Sequence, residues 1–372
     1  MTARPVLGIL GGGQLAQMMA LAAIPLGIQC HVYDPDPVAP ARLCAIHHCA
    51  AYDDTAALVR FAEAVDVITY EFENIPLSCV SFLNAHKPIM PGISALQICQ
   101  DRLTEKTFAR SLGFATAPFV DLVPTLSSTD ALHAVGAPAI LKTRRMGYDG
   151  KGQQIVQNAE ELDRARATYG TLELILEGIV PFLHEVSIIS VRAPDGTTVR
   201  YPLIQNTHRH GILRTSIAPA PCHTAALESL ADQIASTVLD AVGYVGVLTV
   251  ECFVVAAPGG STLVINEFAP RVHNSGHWSI EGATHSQFDY HVRAVMGLRI
   301  DPPELHGWSA LCNLIGDEPA DNDIPVGVAV HRYHKTPRPG RKVGHLTITT
   351  TDHATLQHTI DACSELTGVR IT

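Results

Sequence analysis

Two acid-bearing segments carry the clearest chemical signal in this chain. Glu251-Cys252-Phe253-Val254-Val255 and Leu263-Val264-Ile265-Asn266-Glu267-Phe268 are strand-like and flank Pro258-Gly259-Gly260, the pattern of a β-hairpin. A turn centred on Gly259 sets Val255 against Leu263, Phe253 against Ile265 and Glu251 against Glu267 on one sheet face. Like charges directly opposite across an antiparallel pair are destabilising, so two carboxylates meeting there call for a cation between them. An oxygen-only pair suits magnesium bound together with substrate phosphates. An exposed surface pair is the other reading.

Three further segments carry chemistry. Pro138-Ala139-Ile140-Leu141-Lys142 reads as a short buried strand ending in a cation. Thr143-Arg144-Arg145-Met146-Gly147-Tyr148-Asp149-Gly150-Lys151-Gly152-Gln153 follows as a glycine-rich loop whose amides can fold over phosphate oxygens. It is not a Walker A loop, because Arg145 stands where the first glycine would be and Gly152 where Ser or Thr would follow the lysine. A solvated hairpin tip competes with the phosphate reading. The strand Leu172 to Glu177, the Gly178-Ile179-Val180-Pro181 crossing and the strand opened by Glu185 supply apolar walls, backbone groups and a carboxylate. Those parts suit an adenine slot and are equally those of ordinary core. The run from Asn266 to Trp278 is the densest polar stretch, and as a group its Arg271, His273, Asn274 and His277 are hard to explain as packing.

These segments need a scaffold to bring them together. The 372 residues are 47% hydrophobic and 17% charged, the balance of a globular chain of two or three domains. Val6 to Leu10 reads as a buried strand, Gly11-Gly12-Gly13 as a turn, Gln14 to Leu26 as a helix and Gln29 to Tyr33 as a second strand, one βαβ unit. Gly11, Gly13 and Ala16 match the G-x-G-x-x-G/A spacing, so a nicotinamide or flavin site stays open at this point. A third strand over Val65 to Tyr70 carries Glu71-Phe72-Glu73-Asn74 at its carboxyl end, where open α/β sheets bind ligands. Gln100 to Leu112 has the period of an amphipathic helix. From about 115 to 295, strands, glycine loops and short helices alternate as in an α+β domain. After His306 a proline-rich segment with strands over Ile324 to Arg332 and Val343 to Thr350 reads as small and β-rich.

Composition narrows the partners. A formal charge of −10 without a basic run argues against a nucleic-acid surface and for small-molecule partners. Nine cysteines, an odd number with no C-x-x-C pair, favour a reducing compartment. Cys44, His47, His48 and Cys49 hint at a metal, but no second cluster follows at structural-zinc spacing. The apolar stretch Leu15 to Ile28 is interrupted by Gln17 and ended by Pro25-Leu26-Gly27, so neither a signal peptide nor a spanning helix is expected. The reading is a cytoplasmic protein.

Taken jointly, Glu251, Asn266-Glu267, Lys142 and the Gly147 to Gly152 loop resemble the ATP-grasp superfamily. Within it, Gly11-Gly12-Gly13-Gln14-Leu15, Glu71-Phe72-Glu73-Asn74, Gln100-Asp101-Arg102, Gly147 to Gly152, Arg271 to Trp278 and Arg338 to His345 resemble the 5-(carboxyamino)imidazole ribonucleotide synthases. The matches run in order from residue 8 to residue 345. The resemblance implies a mixed α/β and α+β architecture: a Rossmann-like doubly wound domain over 1–98, an ATP-grasp domain over 99–305 with its lid at about 115–180, and a β-rich C-terminal domain over 306–372.

It also implies roles. ATP would be held by Arg102, Lys142, Gly147, Tyr148, Asp149, Gly150, Lys151, Gly152, Gln153, Glu177, Gly178, Ile179, Val180, Glu185, His208, Asn266 and Glu267, with magnesium on Glu251 and Glu267. Gln14, Leu15, Glu73, Asn74, Tyr148, Arg271, Lys335, Arg341 and Lys342 would contact aminoimidazole ribonucleotide. Arg271, His273, Asn274 and Lys142 would serve the chemistry, carboxylation by bicarbonate through carboxyphosphate in purine biosynthesis, under a glycine-rich loop that closes as a lid, in a homodimer. Gly178 departs from the pattern, since relatives often carry a second acid there. A dehydrogenase, a sister ligase with another acceptor and a non-catalytic nucleotide-binding regulator are the competing functions.

Overall fold

The computed structural model describes residues 4–147 and 152–367. Val6–Leu10 lies inside a four-stranded parallel sheet ordered Ile46–His48, Gln29–Tyr33, Val6–Leu10, Val67–Tyr70. The helix Gln14–Ala23 follows the glycine turn and passes into a 3-10 turn over Ile24–Leu26, where Pro25 removes a backbone donor. The apolar pattern alone carries the expected helix on through Leu26. The helix packs on Gln287–Val295, so Leu7, Ile9 and Met19 share one apolar core with Ile189, Trp278 and Phe288.

A second, antiparallel sheet is ordered Phe119–Asp121, Leu174–Gly178, Ala139–Thr143, Gln153–Val156. The helices Ser128–Val135 and Ala159–Tyr169 bury Leu132 and Leu162 in its core. The third sheet has nine strands. Gly260–Ala269, Gly246–Ala257, His184–Arg192, Ile204–Arg209, Ile212–Ala218, Trp308–Ile315, Lys342–Thr350 and Ala329–Arg332 follow in that order, with Thr198–Arg200 beside His184–Arg192. The segment beyond residue 306 thus continues the large sheet instead of closing one of its own. Its strand expected from Ile324 begins only at Ala329, after a 3-10 turn at Asp321–Asp323.

The acid-bearing hairpin turns over Pro258-Gly259, with Gly259 at φ 84, a left-handed value that suits glycine. Its register corrects the expected one. Val255 faces Thr262 instead of Leu263, and Phe253 faces Val264 instead of Ile265. A bulge at Asn266 absorbs the one-residue offset, and Glu251 does face Glu267.

The helix Arg102–Ser111 lies against this hairpin. Asp101 caps it, accepting from the amides of Leu103 at 3.0 Å and Thr104 at 3.2 Å. Among the described residues, no helix is long and apolar enough to cross a membrane, and all nine cysteines are unpaired.

Candidate active site

The carboxyl end of the parallel sheet, the small sheet and the hairpin enclose a cleft of about 1270 Å³. The bulge shapes its chemistry: Asn266 and Glu267 are consecutive, yet both line the cleft with Glu251, because the extra residue breaks the alternation of the strand. Burial and the facing Glu267 push the Glu251 carboxyl up to about 7, with His208 pulling the other way. His273 Nε2 lies 3.3 Å from Glu251, but burial and the Arg271 charge hold this imidazole well below its usual range, so it brings no charge. Arg102 Nη1 lies 3.2 Å from Glu267. The described residues contain no group of three or more His, Cys, Asp or Glu placed to hold a metal. Two carboxylates and an amide fit magnesium, which keeps water and phosphate oxygens in its other positions, and do not fit an all-protein metal cage.

Cations from two elements meet beside the acids. Lys142, at the end of Ala139–Thr143, donates to Glu177 Oε2 at 3.0 Å, and burial lowers its ammonium below the usual range. Lys106, one turn beyond Arg102, reaches the same oxygen at 3.1 Å. Arg102 donates to the Gly147 carbonyl at 3.2 Å, tying the helix to the start of the glycine-rich loop. Asp101 anchors that approach through Arg144 at 2.8 Å and Arg145 at 3.2 Å. On the far wall Glu185 pairs with His208 Nδ1 at 3.0 Å; burial opposes protonation of His208, yet the bond to Glu185 carries it upward.

A second set of polar side chains lines the same cleft. Arg271 donates to both oxygens of Glu73 through Nε and Nη2, a fixed fork, and the pair outweighs burial to hold Glu73 below the usual carboxylate range. Both side-chain polar atoms of Asn274 are buried without a partner at the cleft wall. Lys335 donates to Gln14 Oε1, joining the C-terminal segment to the first helix, and Arg338, Arg341 and Lys342 line the same cleft.

The glycine turn does not offer an open pyrophosphate site. Gly12 N–H donates to Asp34 at 2.7 Å, while Gly13 and Ala16 donate to Glu71. A Cβ at Gly13 would meet Glu71 Oε1 at 2.5 Å. The amides that would cradle a dinucleotide are already taken, which removes the reason for a dehydrogenase. Nor do Cys44, His47, His48 and Cys49 converge on a metal. His48 pairs with His31 at 3.0 Å, and His47 bonds the Asp34 carbonyl.

Of the residues singled out from sequence, Gln14, Leu15, Glu73, Asn74, Arg102, Lys142, Gly147, Gln153, Glu185, His208, Glu251, Asn266, Glu267, Arg271, His273, Asn274, Lys335, Arg341 and Lys342 line this one cleft. Gly152, Glu177, Gly178, Ile179 and Val180 are not part of its wall. Glu177 is buried behind Lys142, and Gly178 N–H already bonds the Pro118 carbonyl at 2.8 Å. Tyr148, Asp149, Gly150 and Lys151 lie outside the described residues. Glu105 and Lys106 lie beside these residues without being among those expected from sequence. Their signal was present, since Arg102, Glu105, Lys106 and Ala109 follow the three-and-four spacing of one helix face.

The sequence matches a ribonucleotide synthetase preATP-grasp domain over residues 5–100, an ATP-grasp domain over 107–288 and a phosphoribosylaminoimidazole carboxylase C-terminal domain over 309–359. It is 45% identical to the N5-carboxyaminoimidazole ribonucleotide synthase of Pseudomonas aeruginosa, covering 94% of this chain and 96% of that one. With the enzyme of Brucella melitensis the identity is 43%, over 92% and 95% of the two chains. The crystal structure of the Thermus thermophilus synthetase superposes with a TM-score of 0.93 at 44% identity, covering 98% of this chain and 99% of that one. The Aspergillus clavatus synthase in complex with ADP and 5-aminoimidazole ribonucleotide gives 0.88 at 27% identity, covering 99% and 100%. With the facing acids Glu251 and Glu267, Lys142 and the Arg271–Glu73 fork in one cleft, and with likeness along nearly its whole length, this chain belongs to the N5-carboxyaminoimidazole ribonucleotide synthase family of ATP-grasp ligases.

Proposed function

We propose that the chain carboxylates the exocyclic amine of 5-aminoimidazole ribonucleotide, consuming ATP and bicarbonate and releasing ADP and phosphate. The observation that carries this is one cleft that brings Lys142 and the facing acids Glu251 and Glu267 together with the Arg271–Glu73 fork and the unpartnered Asn274. A volume of about 1270 Å³ exceeds what one small ligand fills, as two nucleotides sharing a site require.

Bicarbonate is a poor electrophile. A bicarbonate oxygen attacks the γ-phosphorus, ADP leaves, and carboxyphosphate then loses phosphate to free carbon dioxide for attack by the amine, which gives up a proton. Glu251 and Glu267 would hold magnesium, whose charge would there offset that of the phosphates. Lys142 and Arg102 stabilise the transferring group, chiefly by position and charge. Ile140, Phe182 and Phe253, the last two stacked at 4.8 Å, give the cleft an apolar wall. His273 orients Glu251. Arg271 and Asn274 hold the carboxyl group and turn the amine toward it, the proximity that makes a labile intermediate useful. Arg341 and Lys342 suit the substrate's phosphate.

ADP release measured with ATP, magnesium and bicarbonate, with and without the ribonucleotide, tests this reading. Strong stimulation by the ribonucleotide is expected, and its absence would overturn the substrate assignment. We propose as well that the protein is a cytoplasmic homodimer, and sedimentation at micromolar concentration checks the dimer.

A further inference from the structure

Lys106 is 2% exposed, lies behind the cleft wall and takes no part in the carboxylation chemistry. Its ammonium donates to the Asn266 carbonyl at 3.0 Å and meets Glu177 Oε2 at 3.1 Å. Lys142 meets that same oxygen at 3.0 Å, while Glu177 Oε1 is buried without a hydrogen-bond partner. Of these three groups only Lys142 lines the cleft. Two buried ammonium groups on one buried carboxylate are more than its neutralisation needs. A single cation could not leave, because an unpaired buried charge is strongly unfavourable. With two, one is free to move.

We propose that Lys106 is a positioning residue. It keeps Glu177 paired when Lys142 turns from it to the nucleotide's phosphates, and by holding the Asn266 carbonyl it fixes the bulge that presents Glu267. This deepens, and rests on, the reading of the cleft as an ATP site. A chain lacking the second cation would pit Glu177 against the phosphates for Lys142.

The test is ADP binding to the full chain by calorimetry in the presence of magnesium, with thermal unfolding followed alongside. Lys106→Met is expected to weaken ADP binding by about tenfold to a hundredfold, the scale of losing one member of a buried charge cluster. Adding Glu177→Gln should recover most of that loss, because Lys142 then has no competing anion. A purely structural role predicts instead that thermal stability falls in Lys106→Met and returns in the double variant in step with ADP affinity, whereas the hand-over predicts loss and recovery of affinity that exceed any change in melting temperature. Wild-type affinity in Lys106→Met, or no recovery in the double variant, would overturn the proposal. Should Lys106→Met not fold, the wild-type ADP complex decides by crystallography. Lys142 on phosphate with Lys106 still on Glu177 supports the hand-over, and Lys142 remaining on Glu177 refutes it. Failure of the wild-type chain to bind ADP would sink the ATP reading itself.

Discussion

Glu251 and Glu267 stand opposite one another across an antiparallel pair whose partners nearer the turn are all offset by one residue, the slip being taken up at Asn266. Two acids are thereby fixed on one cleft, with burial and mutual repulsion holding Glu251 up at about 7. Glu267→Gln should cut ribonucleotide-stimulated ADP release on the order of a hundredfold to a thousandfold, the cost of losing one preorganised charge in a transition state. Glu251→Gln should in addition raise the magnesium concentration needed for half-maximal rate. A magnesium dependence that does not move in Glu251→Gln would take that carboxylate out of the metal's shell.

Arg271→Lys keeps the charge and loses the fork, since Nη2 to Glu73 Oε1 at 3.1 Å is one of two bonds that lysine cannot make together. Ribonucleotide-stimulated turnover should fall about a hundredfold while ADP affinity stays unchanged. Parallel loss of ADP affinity would assign Arg271 to ADP instead of the ribonucleotide.

Asp101 supplies a pH signature. Burial by itself would raise its carboxyl, but the bond from Arg144, the Thr104 amide and the Arg145 charge outweigh burial and hold it below the usual range. A depressed folded value means that its stabilisation is complete above the unfolded value of about 3.9 and fades as pH falls through the folded one. Asp101→Asn is therefore expected to be less stable than wild type by about 2 kcal/mol at pH 7. The gap should close in strong acid. Urea unfolding across a pH series measures it, and a gap that persists undiminished to about pH 2 contradicts the assignment.

Gly178 is a matter of space. A Cβ there would lie 2.4 Å from the Val135 carbonyl oxygen and 3.4 Å from the Pro118 ring. The departure noted at this position thus has a local cause: helix Ser128–Val135 comes too close for a side chain. Gly178→Ala should lower stability by about 1–3 kcal/mol through overpacking. An unchanged melting temperature would show that the small sheet can give way.

Much of this arrangement is legible in residue order, for reasons that differ by element. Gln29–Tyr33 coincides with its expected span because a buried parallel strand is a short apolar run with punctuated ends. The meeting of Glu251 and Glu267 was anticipated through the wrong intermediate register. A bulge is a backbone event, and nothing in the identity of Asn266 announces it. The helical spacing sets Lys106 on one face with Arg102, Glu105 and Ala109, but it does not say that this face is buried, because the burial arises from two sheets distant in sequence. The continuation of the large sheet beyond residue 306 depends on pairing between Ile212–Ala218 and Trp308–Ile315, a long-range partnership that periodicity does not encode.

That pairing decides what a shortened chain would be. Thr215 to Ala218 bond Cys312 to Ser309 along a ladder buried on both sides, with Ile217 in the same apolar cluster as Ala310 and Leu346. A protein stopped ahead of Trp308 would not be a tidy nucleotide-binding half. It would carry a raw flank of unmet amides and carbonyls beside uncovered hydrocarbon, a template for any passing strand, and would clump before its catalytic competence could be assayed.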